Sequence, residues 1–227
     1  MHEIITDFER PSEQLIAEVA QQHVGVAGFE AGPRCVMHPD IKPLHTQWRI
    51  CGPAFTVQPQ YWDDRLMGEL APKYAKPGDV LVVDAGGHTE IAVWGMSMTI
   101  SAKLAGVNGV VLDGSCMNKS LLADERPQVP VFCRGVAPVA KGSEHPGSLN
   151  VPVICGGVIV YPGDIILGDA DGIVVLRPEM AEQIVAKAKA HDTRSRAANE
   201  KQVPYYEQRD SEAKVRAFDN VVWRDKP

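Results

Sequence analysis

Apolar residues follow two rhythms along this chain. In residues 50–57, 80–84, 109–113 and 129–133 they form short, nearly unbroken runs bounded by turn residues, as in Pro77-Gly78-Asp79-Val80-Leu81-Val82-Val83-Asp84. Such β-branched runs predict strands buried on both faces. Helical spacing appears elsewhere. Leu15, Ile16, Val19 and Ala20 place an amphipathic helix over residues 11–22, with Ser12 or Pro11 near its start. Ile184, Val185 and Ala188 place another over 180–191. Residues 94–104 read as a helix opened by a glycine, Gly95, and residues 61–74 as a helical or irregular crossover.

The second half changes rhythm. Residues 151–153, 158–160, 164–167 and 173–176 are closely spaced apolar runs separated by Gly, Pro and Asp. They predict a β-rich layer in place of further strand-helix-strand units. Pro77-Gly78-Asp79 and Pro162-Gly163-Asp164 each precede a run that ends in an Asp, at Asp84 and Asp169. Proline fixes φ and glycine permits a left-handed residue, so this echo is one turn chemistry used twice. The expected organisation is an α/β domain over residues 1–190 and an arm over 191–227, where charges are frequent and apolar residues sparse. Tyr205, Tyr206, Phe218 and Trp223 would let that arm lie on a neighbouring subunit.

Composition narrows the classes. At 227 residues, 44% hydrophobic and 23% charged, the chain can bury one substantial core. A formal charge of -6 and the lack of a basic run argue against a nucleic-acid or anionic-membrane surface. Residues 1–25 carry Glu, Asp and Arg throughout, and no stretch approaches ~18 uninterrupted apolar residues, so a soluble cytoplasmic protein is expected. Cys35, Cys51, Cys116, Cys133 and Cys155 are widely spaced and odd in number, which fits reduced, buried thiols better than a disulfide framework or a metal motif.

Four blocks carry a resemblance. The first is residues 77–84 with Gly95. The second is Ala105-Gly106-Val107-Asn108-Gly109-Val110-Val111-Leu112-Asp113-Gly114. The third is Gly147-Ser148-Leu149-Asn150-Val151-Pro152-Val153, and the fourth runs from Gly156-Gly157-Val158 through Pro162-Gly163-Asp164 to Gly168-Asp169-Ala170-Asp171-Gly172-Ile173-Val174-Val175. In order and spacing, over about residues 27–177, they resemble the family of class II 4-hydroxy-4-methyl-2-oxoglutarate / 4-carboxy-4-hydroxy-2-oxoadipate aldolases and the ribonuclease E inhibitor-like RraA proteins.

That resemblance implies a swivelling α/β/β/α-type sandwich with a helical C-terminal arm, assembled as a homotrimer or homohexamer with sites between subunits. The implied reaction is retro-aldol cleavage of a 4-hydroxy-2-oxo acid, or decarboxylation of oxaloacetate, through a pyruvyl enolate. In the family Mg²⁺ or Mn²⁺ polarises the 2-oxo group and an arginine neutralises the developing enolate. Carried over, the backbone amides of Gly95, Met96, Ser97 and Met98 would hold the carboxylate and keto oxygen. Glu30 would reach a neighbour's site, and Lys141 would line it. Here the arginine's place is taken by Met117 and the metal aspartate's by Asn118. Methionine offers no charge, and asparagine offers only a neutral carbonyl oxygen to a cation. Lys119 is the substitute cation nearest in sequence.

Each residue also has a plainer reading. Gly95 can simply start a helix, Glu30 can sit on a helix surface, and Lys119 can be solvated. Asp84 and Asp113 close predicted strands at their C-terminal ends, where open α/β sheets place ligands, or else cap the next helices. His88-Thr89-Glu90 could supply a base or metal ligands, or cap a helix through Thr89. His145 beside Glu144 is a secondary candidate for proton transfer, while Cys116 lacks an activating partner. Three functions remain open: a 2-oxo acid lyase, a diverged enzyme catalysing enolate-based tautomerisation, isomerisation or hydration, and a non-catalytic RraA-like regulatory protein.

Overall fold

The computed structural model describes residues 2–122, 129–141, 144–200, 211–218 and 220–222. Helix α1 (Glu13–Ala20) begins where the Ser12 hydroxyl accepts the Leu15 N–H at 3.2 Å, and α2 (Val24–Ala31) follows directly. Strands β1 (Lys42–Pro43) and β2 (Ile50–Gln58) lead to the short helix α3 (Leu66–Leu70). Next come β3 (Val80–Val83), β4 (Ala92–Trp94), α4 (Met96–Leu104), β5 (Gly109–Cys116), α5 (Lys119–Leu122) and β6 (Val131–Val136). The β-rich half holds β7 (Ser148–Leu149), β8 (Val153–Cys155), β9 (Val158–Val160), β10 (Ile165–Asp169) and β11 (Gly172–Leu176). Two helices close the order, α6 (Pro178–Glu200) and α7 (Ser211–Arg216).

The main sheet runs β1-β6-β5-β3-β2-β10-β11. Strands β2, β3, β5 and β6 are mutually parallel, whereas β1, β10 and β11 join antiparallel to their neighbours. Its two edges draw together: Lys42 Nζ donates to the Asp171 carbonyl at 2.6 Å, and Val36 bridges to Val174. The sheet is therefore nearly closed.

Strand side chains alternate between faces, and here both faces meet apolar partners. Val80 and Val82 point into an inner core with Ile41, Phe132 and Ile166, which the β8–β9 hairpin covers with Val153, Cys155 and Val160. Leu81 and Val83 face a second core with Trp94, Met98 and Leu112. In β10 and β11, Ile165, Leu167, Val174 and Leu176 turn to a third, shared with Val19, Ala27 and Ile184 of the helices. Double-sided burial explains why these strands read as unbroken apolar runs.

The repeated turn is real in three dimensions. Gly78 and Gly163 are left-handed, at φ 93° and 87°. Asp79 accepts the Lys76 N–H and Asp164 the Tyr161 N–H, three residues back, each at 2.8 Å. Arg10 adds a two-pronged contact to buried Asp79, which straps the N-terminal segment to this turn.

Several expected boundaries move. Trp94 ends a strand and does not open the helix, which starts at Met96 with Gly95 as its cap. Asp113 lies inside β5, which continues through Cys116 because β4 and β6 pair with its last residues. The helix expected over 180–191 spans 178–200. The chain divides into two units, Met1–Ala188 and Lys189–Pro227. Within the second, Phe218 is exposed, while Tyr205, Tyr206 and Trp223 lie outside the described residues.

Candidate active site

Two loops meet because of one strand register. Strand β4 pairs parallel with the end of β5, Trp94 opposite Cys116, and the Met117 N–H donates to the Trp94 carbonyl at 2.9 Å. The residue after β4, Gly95, is thereby set beside the residues after β5, Met117 and Asn118. Gly95 is extended, so its value here is size and not handedness: an added Cβ would stand 3.2 Å from Met117 Cγ and 3.5 Å from Asn118 Oδ1. Asn118 adopts a left-handed φ of 62°, which asparagine tolerates better than most side chains.

Helix α4 leaves this loop with no side-chain cap. The first N–H groups of a helix lack intrahelical acceptors and carry a partial positive charge, so an uncapped start is receptive to an anion. The loop is held firmly. Trp94 Nε1 donates to Thr99 Oγ1 at 2.9 Å, and Thr99 Oγ1 donates to the Gly95 carbonyl at 3.0 Å, all buried. Gly68 of α3 packs close on Met98 and Trp94, bringing α3 against the start of α4.

A cavity of about 100 Å³ opens between these elements. Its lining includes Gly95, Met96, Ser97, Met98, Met117 and Asn118, and from α3 and its cap Arg65 and Glu69. That volume is below the ~300 Å³ at which drug-sized ligand pockets begin, the scale of a small acid.

The other expected residues fall elsewhere. Lys119 is exposed at the first turn of α5 and does not line the cavity. Lys141 follows the lining residue Ala140, with its Nζ 3.2 Å from Asp63 Oδ2. Glu30 is half-buried on α2, which packs on β11, and within one chain it is not part of the cavity wall. His145 pairs with Asp64 and not with Glu144: its backbone N–H and its Nδ1 lie 2.6 and 3.0 Å from Asp64 Oδ2. His88, Thr89 and Glu90 sit in a loop before β4, so no helix exists there for Thr89 to cap. His88 instead stacks on Trp62, with ring centroids 4.5 Å apart. Cys116 and Cys133 place their sulfurs 3.5 Å apart in the core, and that contact, with burial, pushes the Cys116 thiol up and away from thiolate reactivity.

Asp84 and Asp113 cap no helix and do not line the Gly95 cavity. Asp113 Oδ1 accepts Arg134 Nε at 2.7 Å and lies 2.6 Å from Nη2, and its Oδ2 accepts the Gly156 N–H at 2.7 Å. Asp84 accepts the N–H groups of Gly86 and Ile154, while burial raises its pKa above the ordinary carboxylate value. Both carboxylates tie the β8–β9 hairpin to the sheet. Sequence reasoning missed Arg134 in this tie, and Arg65 and Glu69 in the cavity. No motif marks these three, because tertiary packing and not spacing assembles them.

The donors around Asn118 do not fit a dedicated divalent-metal site. A neutral amide oxygen replaces the carboxylate, and among the described residues no three His, Cys, Asp or Glu side chains gather.

A nearly closed α/β sheet carrying a small anion-receptive cavity defines the class. Comparison with known proteins defines the family: the chain belongs to the RraA-like family, whose Aldolase/RraA description matches residues 16–175. A Halalkalibacterium halodurans protein named "Putative 4-hydroxy-4-methyl-2-oxoglutarate aldolase" is 38% identical over 184 residues, covering 80% of this chain and 78% of that one. Among solved structures, Streptomyces coelicolor RraAS2, described as an unusual member of the RNase ES inhibitor RraA protein family, superposes with a TM-score of 0.74 at 27% identity. The match covers 85% of this chain and all of that one. The RNA-processing inhibitor RraA from Thermus thermophilis gives a TM-score of 0.56 at 26% identity, over 62% of this chain and 84% of that one. The fold is RraA-like, and among the described residues no helix is long and apolar enough to cross a membrane.

Proposed function

We propose that the chain is a lyase-like enzyme that binds a 2-oxo acid in the Gly95 cavity and releases pyruvate. The observation that carries this reading is the uncapped start of α4 facing a cavity of pyruvyl size, walled by Met117 and Asn118. In the cleavage, a 4-hydroxyl loses its proton as the C3–C4 bond breaks, and the bonding pair flows onto the 2-oxo oxygen as an enolate. Protonation at C3 then gives pyruvate. The backbone N–H groups of Met96, Ser97 and Met98 would meet the substrate carboxylate and the growing negative charge, a role preorganised donors perform without reorganisation. Oxaloacetate decarboxylation would pass through the same enolate. Glu30, beside the exposed Phe29, would complete a neighbour's site in a homotrimer or homohexamer, and Lys141 would guard the cavity mouth. A cytoplasmic location fits a small-molecule enzyme of this kind.

The test is pyruvate release from 4-hydroxy-4-methyl-2-oxoglutarate or oxaloacetate, with and without Mg²⁺ or Mn²⁺. Turnover above that of a Gly95→Trp variant is expected, and equality with that variant eliminates the reading. A second reading, a regulatory protein of the RraA kind, is favoured by the neutral pair Met117-Asn118. Capture of a ribonuclease without small-molecule turnover would establish it.

A further inference from the structure

The charge absent from residues 117 and 118 has a counterpart across the cavity. Arg65 caps α3, Glu69 lies one turn on, and both line the same cavity as Gly95, Met117 and Asn118. Among the described residues, Arg65 is the one Lys or Arg in that lining. Its Nε sits 3.5 Å from Glu69 Oε1, near enough to feel the charge, yet this nitrogen is buried from water and makes no hydrogen bond. The pairing with Glu69 is therefore an ion pair without a hydrogen bond through Nε, which leaves the guanidinium free to take a better-placed acceptor.

The surroundings hold Arg65 in place. Asp64, itself buried, accepts the Leu66 N–H at 2.9 Å and the His145 N–H at 2.6 Å, pinning the loop before α3. Gly68 seats α3 against Met98 and Trp94. The guanidinium side chain retains 34% exposure, so its outer donors remain accessible. A planar guanidinium binds a carboxylate through two parallel hydrogen bonds, which a lysine cannot imitate.

We propose that Arg65 is the cation that receives the carboxylate or enolate oxygen of the 2-oxo acid, and that Glu69 is its resting partner, displaced when the acid binds. The positive charge that the family keeps at the position of Met117 would then come from another element, at Arg65. This inference rests on the cavity being the 2-oxo acid site.

Oxalate, a small planar dianion resembling the pyruvate enolate, is the probe, titrated by calorimetry into the wild type and five variants of known melting temperature. Arg65→Met is expected to weaken binding roughly 10- to 100-fold, the loss typical of a hydrogen bond to a charged group. Arg65→Lys should fall between. Arg65→Met combined with Met117→Arg should regain affinity, an outcome that a purely structural role for Arg65 does not produce. Glu69→Gln should tighten binding by roughly 2- to 5-fold, because it removes an exposed competitor, and this variant reports even if Arg65→Met folds poorly. Unchanged oxalate affinity in Arg65→Met and in Glu69→Gln, with binding still abolished by Gly95→Trp, overturns the role of Arg65 and leaves the cavity reading intact. Failure of the wild type to bind oxalate, or binding that survives Gly95→Trp, overturns the cavity reading and this inference with it.

Discussion

Strand β5 separates two polar regions that solve opposite problems. Along its length, Asp113 is saturated: Arg134 and the Gly156 N–H occupy its oxygens, and nearby Asp84 holds the Gly86 and Ile154 N–H groups. Just past its end, around Gly95, Met117 and Asn118, charges are few, and α4 starts without a side-chain cap beside a cavity that Arg65 also lines. Buried charge with every hydrogen bond made is a device for holding the fold. Donors without acceptors next to an opening are a device for binding. Charge density alone points to the Asp113 region and not to the cavity at Gly95.

The comparison breaks or sharpens under substitution, and the largest effect belongs to the saturated region. Asp113→Ala strands Arg134 and the Gly156 N–H, so chemical denaturation should show a loss of about 3–5 kcal/mol, the usual consequence of removing one partner of a buried pair. A loss below about 1 kcal/mol would mean the tie is ornamental. Gly95→Trp should do the reverse. Filling the cavity is expected to lower pyruvate release roughly 100-fold or more, because misplacement by an ångström already has that effect, while overpacking destabilises by about 1–3 kcal/mol.

The smallest effect is expected at Asp84, where the sign is informative. Burial raises its pKa, so the folded state holds the proton more tightly than the unfolded chain. Its favourable contribution is complete below the ordinary carboxylate pKa and is lost as pH rises through the raised value. Melting temperatures of wild type and Asp84→Asn, compared across pH 3 to 8, should therefore diverge in favour of the variant as pH rises. Divergence in the opposite direction would show that the Gly86 and Ile154 N–H groups outweigh desolvation.

How much of this was legible beforehand follows from which contacts are local. The strands at 50–57, 80–84, 164–167 and 173–176 were readable because burial on both faces leaves an unbroken apolar run. The Pro-Gly-Asp turns were readable because their bonds close within four residues. Strand β4 was missed, since three residues carry no period and exist as a strand only by pairing with β5. Gly114 and Ser115 are weak strand formers, yet β5 continues through them because neighbours on both sides supply ladder partners. At the site, Gly95 through Met98 were identified by resemblance and do line the cavity with Met117 and Asn118. Glu30 and Lys119 do not line it within one chain. Arg65 and Glu69 were invisible because they lie far from Gly95 in sequence, and it is tertiary packing, Gly68 on Met98 and Trp94 with Met67 in the same core, that brings α3 there.

The central claim is that the main-chain donors at Gly95, Met96, Ser97 and Met98 grip a 2-oxo acid. Amide proton and nitrogen NMR shifts, followed while pyruvate is titrated into the wild type and into Gly95→Trp, address it most directly. Saturable shifts at Ser97 and Met98, lost in the variant, are the predicted result. Shifts that leave this loop still and gather around Asp84 and Asp113 would contradict the account.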